Sequence, residues 1–158
     1  MIAQPSRITD DIRTDVTDSG KMRQIDDFIG QWQLERQIDD ARAGRMMHFA
    51  GTACLSNTGP DVWHYHESGI LSTPGHADMV AEQTYLWRPH SDGIGVYFSD
   101  GRFFHAFDPD SGQPVAEHFC DPDQYDVQYD FRNWPEWRTN WRVSGPRKDY
   151  RIVNHFCR

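Results

Sequence analysis

The 158-residue sequence has few cysteines, no long apolar run and no excess of positive charge. Its three cysteines, Cys54, Cys120 and Cys157, are odd in number and widely spaced, which is typical neither of a zinc site nor of a disulfide framework. No stretch approaches the roughly 20 apolar residues that a membrane helix needs, and the first residues do not form a signal peptide. These absences predict a soluble, cytoplasmic protein that has no membrane partner.

The charge of the chain disfavours one further class of partner. Its formal net charge of -8 argues against nucleic acid, because a nucleic-acid site needs a basic surface. The charge is unevenly distributed, since segment 108–131 has seven acidic residues and neither Lys nor Arg, whereas segment 138–158 has six basic residues and one acidic residue. Neighbouring strands of a β-meander place such charges opposite one another, so we expect cross-strand pairing on the outer surface.

The beginning of the chain divides into a leader and the start of a domain. Residues 1–18 mix Asp, Arg, Thr and Pro without an apolar period and are expected to be mobile, whereas residues 19–158 have the length of one domain. Between Gly20 and Ile29 the apolar residues share one helical stripe, with Ser19 as the N-cap and Gly30 as the stop. The sequence therefore predicts one short helix before the first strand.

After this helix the chain consists of short alternating segments separated by turn signals. The segments expected to form strands outside a central hairpin are Trp32–Ile38, Arg45–Ser56, Val62–Leu71, Met79–Trp87, Val115–Cys120, Gln124–Phe131, Trp137–Val143 and about Tyr150–Cys157. Many short, evenly spaced strands are typical of an up-and-down barrel. The predicted fold class is all-β, an antiparallel up-and-down β-barrel of about eight to ten strands with the short N-terminal helix closing one end.

The central hairpin indicates which of its residues face the interior. Asp100-Gly101 lies between two aromatic-rich runs and is typical of a two-residue type I′ turn. This turn pairs Phe98 with Phe103 and Val96 with His105. One face of the hairpin is then apolar apart from a single imidazole, and its members are Ile94, Val96, Phe98, Phe103, His105 and Phe107. We therefore expect His105 to lie inside the barrel.

The side chains expected to face inward form a candidate ligand site. Its members are Arg36, His66, Phe98, Phe103, His105, Tyr125, Tyr129 and Trp141. His105 is the candidate general base, or a hydrogen-bond partner for a ligand carbonyl, and Tyr125 and Tyr129 are the candidate acids. An imidazole in this position can also be a core group that bonds a tyrosine hydroxyl or a water molecule. The sequence leaves both interpretations open.

Arg36 lies on the inward face of the first strand and needs a partner there, because burying an unpaired guanidinium is costly. A ligand carboxylate would supply one, as would an internal pair with Glu82 or Glu117. The side chain can also reach solvent at the barrel mouth. Arg36 therefore favours an organic anion as the ligand without excluding an internal role.

Two further clusters have simpler explanations. His64 and His66 place two imidazoles on one strand face, which suits a metal ion, but eight histidines in 158 residues often produce such a pair by chance. No metal and no cofactor is expected. Trp134 and Trp137, which flank Pro135, form either an aromatic wall for a flat ligand or a cap on the end of the barrel.

The junction of helix and first strand resembles the calycin superfamily, which includes the lipocalins and the fatty-acid-binding proteins. The matching residues are Gly30 and Trp32, as Gly-x-Trp, and a basic residue near the last strand, Arg147 or Arg151. The resemblance implies that this basic side chain covers the tryptophan at the closed end of the barrel, as a structural lock. The tail 141–150 resembles a family of small bacterial and fungal proteins whose function is unknown, so it implies no activity.

Three functions are compatible with this sequence. The first is binding of a small, partly apolar, anionic organic molecule between the aromatic walls of the barrel cavity, with Arg36, His105, Tyr125 and Tyr129 as polar contacts. The second is a lyase or isomerase reaction that uses the interior His and Tyr. The third is a non-catalytic interaction module that uses the acidic outer face and an aromatic patch. A homodimer is compatible with each of them.

Overall fold

Ten antiparallel strands form the body of the protein. The computed structural model describes residues 22–158, so the predicted leader and the predicted cap at Ser19 lie outside the described residues. The strands are β1 Gly30–Asp40, β2 Arg45–Gly59, β3 Val62–Ser72, β4 Met79–His90, β5 Gly93–Phe98, β6 Phe103–Phe107, β7 Val115–Cys120, β8 Asp123–Asp130, β9 Trp137–Ser144 and β10 Asp149–Cys157. Every predicted strand is present, and the all-β fold class is confirmed.

The strands form a single sheet that closes into a barrel. Their order is β6-β5-β4-β3-β2-β1-β10-β9-β8-β7, so that β1 and β10, the first and last strands, are paired. Among the described residues, the outer strands β6 and β7 share no backbone ladder. Aromatic side chains join them instead, since the rings of Phe104 on β6 and His118 on β7 are 5.1 Å apart. The barrel is therefore nearly closed, with one seam between β6 and β7.

The predicted N-terminal helix is reduced to a single 3₁₀ turn, Ile25–Phe28. Ile25 and Phe28 are three residues apart and share the buried face of this turn, whereas Met22, expected on the same stripe, is exposed. The prediction of a longer helix was wrong because one turn already buries these two side chains. Gly30 ends the turn with a φ of +113°, a conformation that side chains rarely adopt. No helix in the described part of the chain is long and apolar enough to span a membrane.

The central hairpin differs from its prediction by one residue. Val96 pairs with His105 as expected, but Tyr97 pairs with Phe103, so that Phe104 forms a β-bulge. The bulge turns Phe104 inward beside His105 and leaves Phe103 on the outer surface, where it is 46% exposed. Phe103 was therefore predicted on the wrong face, because an inserted residue shifts every position on one side of it.

One end of the barrel, which we call the sealed end, is filled by aromatic side chains. The ring of Phe28 makes edge-on contacts with five others, those of Trp87, Phe107, Phe131, Trp134 and Trp137. Trp137 also stacks on Phe156, with 3.7 Å between the ring centres. These contacts reduce the exposure of Phe28 to 1%. The 3₁₀ turn thus inserts an aromatic plug between the ends of the strands.

Charged side chains pair across the last strands on the outer surface. The register places Asp126 on β8 opposite Arg142 on β9, but Arg142 forms its ion pair with Asp149 at the start of β10. Lys148, in the turn before β10, lies with its Nζ 2.9 Å from Asp123 Oδ2 at the start of β8. The predicted pairing between the acidic and the basic segment is therefore confirmed for Lys148 and Asp123 but not for Asp126 and Arg142.

Candidate ligand-binding cavity

A cavity of about 370 Å³ lies inside the barrel next to the sealed end. Its wall contains ten aromatic residues, Phe49, Tyr65, Tyr85, Trp87, Phe104, Tyr125, Tyr129, Trp137, Trp141 and Phe156. Strand alternation brings them together, because each is on the inward face of its strand. A volume of this size is in the range of small-molecule sites. The cavity can therefore hold a small organic molecule with apolar or aromatic surface.

Arg36 lines the cavity and is paired inside the protein. Its Nη1 and Nη2 donate to the two carboxylate oxygens of Glu67 at 2.7 and 2.9 Å, and the Tyr65 hydroxyl donates to Glu67 Oε2 at 2.7 Å. Burial opposes the charge of the guanidinium, but the adjacent Glu67 carboxylate outweighs it and raises the pKa of Arg36. The partners predicted for an internal pair, Glu82 and Glu117, were wrong because Glu67 is the acid that alternates to the inner face of β3.

An amide side chain extends this network to β9 and β10. Arg36 Nε donates to Asn154 Oδ1 at 2.5 Å, and Asn154 Nδ2 donates to Thr139 Oγ1 at 2.8 Å. Asn154 and Thr139 are both buried. Hydrogen bonds thus join Tyr65, Glu67, Arg36, Asn154 and Thr139 across four strands in one wall of the cavity. The charges in this wall are balanced, and its polar side chains hold one another in place.

His105 and Tyr129 form a second buried polar pair in the wall. His105 Nε2 lies 2.7 Å from the hydroxyl oxygen of Tyr129. Burial, with a smaller contribution from the charge of His118, lowers the pKa of His105 to about 3. Burial also raises the pKa of Tyr129 above its ordinary value, so both groups are uncharged at neutral pH. Among the described residues, His105 Nδ1 has no hydrogen-bond partner although it is buried.

Two further tyrosines, Tyr85 on β4 and Tyr125 on β8, line the cavity together with Trp141. Lys148 Nζ donates to the Tyr125 hydroxyl oxygen at 2.9 Å. Burial, followed by the negative charge of Glu67, raises the pKa of Tyr85 to about 12. Sequence reasoning named Tyr125 and Trp141 but missed Tyr85, because the two faces of β4 are similar in polarity and alternation alone does not distinguish them.

Phe98, another predicted contact, supports the wall from behind. Its ring stacks on Phe104 with 4.7 Å between the centres and also contacts Tyr85 at 6.2 Å. Phe98 is half-buried and is not among the residues that line the cavity. The bulge accounts for this position, because it places Phe104 between Phe98 and the interior.

The histidine pair of β3 faces away from the cavity. The rings of His64 and His66 are 6.4 Å apart on the outer surface, and His66 Nδ1 lies 3.0 Å from Thr84 Oγ1. His66 was therefore wrong as a ligand contact, because its neighbour Tyr65 takes the inward position. In the part of the chain that the structure describes, no group of three or more His, Cys, Asp or Glu side chains is placed to hold a metal ion.

The sealed end is locked by Arg158, which the sequence analysis did not name. Its Cζ lies 3.9 Å from the centre of the Trp32 ring. The guanidinium also donates to the backbone carbonyls of Ile29 and Asp27 at 2.7 and 2.8 Å, and Trp32 Nε1 donates to the carbonyl of Phe28 at 2.9 Å. The arginine and the tryptophan together tie the end of β10 to the 3₁₀ turn.

Arg147 and Arg151, the residues predicted to cover Trp32, lie near the other end of β10. Arg151 is opposite Asp39, near the end of β1, whereas Trp32 is near its beginning. Arg147 precedes β10 altogether. Both predictions were wrong because β10 runs toward the sealed end, so that only its last residues approach Trp32.

The tryptophans near Pro135 belong to the core. Trp137 is 3% exposed, and Trp134 contacts the rings of Phe28 and Trp32. A filled interior together with a large exposed aromatic patch around these residues would have favoured the interaction-module hypothesis. Trp137 is buried, Trp134 is half-buried against the core, and the interior contains a cavity, so neither feature is present.

Comparisons with known proteins give a family and a structural neighbour. The model of a family described as a family of unknown function (DUF6314) matches residues 28–158. Among curated proteins, none matches the chain. The barrel is similar to the structure of an S-type phycobiliprotein lyase, CPES, from Guillardia theta, with a TM-score of 0.60 and 11% sequence identity over 86% of this chain and 93% of that chain. At this identity the similarity establishes the fold alone.

Proposed function

The chain belongs to the family of unknown function DUF6314, and we propose from its geometry that it binds a small, planar, largely apolar organic molecule inside the barrel. The observation that supports this most directly is the cavity of about 370 Å³ with ten aromatic residues in its wall. Concave, mostly apolar sites with a few fixed polar groups are typical of small-molecule binding. Aromatic rings favour planar partners, because flat surfaces stack or meet edge to face.

The polar groups of the cavity favour a ligand without net charge. The guanidinium of Arg36 is compensated by Glu67 through two hydrogen bonds, and Lys148 is paired with Asp123. His105 is uncharged at neutral pH, because burial lowers its pKa to about 3. The sequence analysis predicted an anionic ligand from the inward position of Arg36. Such a ligand would have to displace Glu67 from a buried pair at considerable cost. A neutral ligand requires no such displacement.

Two fluorescent probes that share one scaffold test this proposal. N-phenyl-1-naphthylamine is neutral, and 8-anilinonaphthalene-1-sulfonate adds a sulfonate to the same ring system. We expect saturable one-to-one binding of the neutral probe, measured by the rise in its fluorescence. The sulfonate should bind at least about ten-fold more weakly, which corresponds to about 1.4 kcal/mol, because the cations of the wall are already paired.

A pair of Ala→Trp variants shows where the probe binds. Ala81 lines the cavity, whereas Ala50 follows the inward Phe49 on β2 and alternates to the outer face. Ala81→Trp should lower the affinity for the neutral probe at least about ten-fold, and Ala50→Trp should leave it unchanged, with circular dichroism confirming that both variants fold. Undiminished binding by Ala81→Trp would place the probe outside the cavity and contradict the proposal.

A lyase or isomerase reaction is the second candidate, and one contact favours it. His105 Nε2 and the Tyr129 hydroxyl oxygen are 2.7 Å apart in the wall of the cavity, as a base and an acid would need to be. The structural neighbour is also named as a lyase. Acid–base catalysis works best when the pKa is close to the operating pH, however, and burial moves the pKa of His105 down to about 3. Binding is therefore the better supported function.

An NMR titration separates the two candidates. In protein labelled at histidine, the His105 signal can be assigned by its absence from a His105→Gln variant. We expect its imidazole to stay neutral down to at least about pH 5, because protonation would bury a charge. A pKa for His105 between about 6 and 8 would instead provide a working general base and favour the enzyme.

A further inference from the structure

The hydroxyl group of Tyr85 is available to a ligand. Tyr85 lines the cavity, and among the described residues its hydroxyl takes part in no hydrogen bond. Its ring is held by Tyr65, Phe98 and Phe104, with 6.0, 6.2 and 5.8 Å between the ring centres. Burial raises the pKa of Tyr85 to about 12, so the hydroxyl keeps its proton at neutral pH. The cavity thus contains a fixed hydrogen-bond donor that the protein itself does not use.

Tyr125 lines the same cavity and provides a second donor next to Phe104. The rings of Phe104 and Tyr125 are 6.2 Å apart, so Phe104 contacts both tyrosines. Lys148 Nζ donates to the Tyr125 oxygen at 2.9 Å and leaves the hydroxyl proton free to be donated onward. A hydrogen bond from a charged group polarises the hydroxyl and strengthens it as a donor. The charge of Lys148 thereby makes the Tyr125 hydroxyl a stronger hydrogen-bond donor toward the cavity.

The bulge in β6 brings the ring of Phe104 next to both tyrosines. A regular hairpin would have placed Phe103 inward, whereas the bulge turns the ring of Phe104 inward, where it contacts both tyrosines. Among the residues described, no hydrogen bond joins the two tyrosines. Each hydroxyl proton therefore stays available to an acceptor atom of a ligand.

We infer that Tyr85 and Tyr125 together bind a carbonyl oxygen of the ligand, and that Tyr85 is a residue that determines specificity. This inference rests on the proposed function, since it requires a ligand in the cavity. A carbonyl oxygen has two lone pairs and can accept from two hydroxyls at once. A ligand without such an oxygen would desolvate the Tyr85 hydroxyl and leave it unpaired, at a cost in affinity. The ligands selected are planar carbonyl compounds such as aromatic ketones, quinones or lactams.

A pair of probes with the same ring framework tests the inference. Fluorene and 9-fluorenone are planar three-ring molecules that differ in a methylene or a carbonyl at one position, and calorimetry gives the dissociation constant of each. Two neutral hydrogen bonds should make wild-type protein prefer fluorenone at least about ten-fold. The infrared carbonyl stretch of bound fluorenone, labelled with ¹³C, should also move to lower frequency than in an apolar solvent.

Tyr→Phe variants assign this preference to individual hydroxyls. Tyr85→Phe and Tyr125→Phe should each lower the preference for fluorenone about five-fold and move the carbonyl stretch back toward its value in apolar solvent. Tyr97, on the outer side of the β5–β6 hairpin next to Phe103, is the matched control. Tyr97→Phe should change neither quantity. Binding of fluorene to each variant verifies that the cavity is intact, and Tyr125→Phe repeats the test if Tyr85→Phe does not fold.

The possible results separate this inference from the proposed function. If fluorene binds in the cavity but fluorenone binds no more tightly, or if Tyr85→Phe leaves the preference and the carbonyl stretch unchanged, the inference is overturned and the proposed function stands. If neither compound binds, the proposed function fails and the inference fails with it. A preference for fluorenone that Tyr85→Phe reduces and Tyr97→Phe preserves supports both.

Discussion

The sealed end and the cavity are both built from aromatic side chains, but the first is packed and the second encloses an open space. At the sealed end the rings pack against one another, and Phe28 alone contacts five other aromatic side chains. In the cavity, aromatic rings surround about 370 Å³ together with tyrosine hydroxyls, an Arg–Glu pair and a buried imidazole. The difference shows that an aromatic interior by itself predicts neither a packed core nor a binding site.

Polar groups make the difference between the two regions. At the sealed end the polar atoms of Trp32 and Arg158 are bonded to the backbone of the 3₁₀ turn. In the cavity, Arg36 and Glu67 bond each other, but the Tyr85 hydroxyl and His105 Nδ1 have no partner within the described residues, and neither has Nε1 of Trp137, which lies where the cavity meets the sealed end. Unpaired polar groups inside a barrel do not improve stability, so we attribute the sealed end to folding and the cavity to function.

The largest effect on stability is expected from Phe28→Ala, which removes the plug of the sealed end. Deleting a fully buried aromatic ring leaves a void, and the free energy of unfolding should fall by about 4 kcal/mol, as measured by urea denaturation. Met22→Ala, on the exposed residue at the start of the described chain, should change it by less than about 0.5 kcal/mol. A loss below about 1 kcal/mol for Phe28→Ala would show that the sealed end is not the stabilising region.

In the cavity, Glu67→Leu should lower the free energy of unfolding by about 3 kcal/mol, because it leaves the guanidinium of Arg36 largely buried without a carboxylate. The double variant Arg36→Met, Glu67→Leu removes both charges and should recover to within about 1 kcal/mol of wild type. A double variant as unstable as Glu67→Leu alone would show that the polar wall of the cavity stabilises the fold. The contrast with the sealed end would then be wrong.

Acid should weaken the fold through His105. The pKa of His105 is about 3 in the folded protein, whereas an unperturbed histidine, as in the unfolded chain, has a pKa of 6.5. Below about pH 6.5 the unfolded chain therefore binds a proton that the folded protein does not. This destabilisation is absent above about pH 6.5 and grows as the pH falls, reaching on the order of 2–3 kcal/mol near pH 4.5. Urea denaturation of His105→Phe should show a smaller loss between these pH values, whereas exposed His76→Gln should behave like wild type. Equal slopes for wild type and His105→Phe would contradict a buried neutral imidazole.

The smallest predicted effect distinguishes the arginines near Trp32. Arg158→Ala removes the contact with the indole ring and two hydrogen bonds to backbone carbonyls, which should cost about 1 kcal/mol in thermal or chemical unfolding. Arg147→Ala and Arg151→Ala, at the other end of β10, should each cost less than about 0.5 kcal/mol. A larger loss for Arg151→Ala than for Arg158→Ala would reverse this assignment.

Alternation and turn residues predicted the strands well, because a half-buried strand needs period-two polarity and a tight turn needs particular residues. The register of the hairpin failed by one residue, since nothing in the Asp100-Gly101 turn distinguishes a regular pairing from one with a bulge at Phe104. Because of this single inserted residue, Phe104 lines the cavity in place of the predicted Phe103. The inward faces of β3 and β4 were equally ambiguous, and Glu67 and Tyr85 were missed for that reason.

Pairing partners across the barrel could not be derived from local patterns. Arg36 needed a carboxylate, and the sequence offered several, but only the folded barrel shows that the side chains of Arg36 and Glu67 meet in its interior. The same holds for Arg158, because the sequence does not show how far β10 extends along β1. The calycin resemblance remains a resemblance, and the cytoplasmic location suggested by the cysteines remains a prediction.

A crystal structure of the chain with N-phenyl-1-naphthylamine would test the central claim most directly. The account predicts electron density for the naphthyl ring inside the barrel, in contact with Phe104 and Trp141, with the Arg36–Glu67 pair intact. Density for the probe on the outer surface alone, or a cavity filled by its own side chains, would contradict the claim that this barrel is a small-molecule binding site.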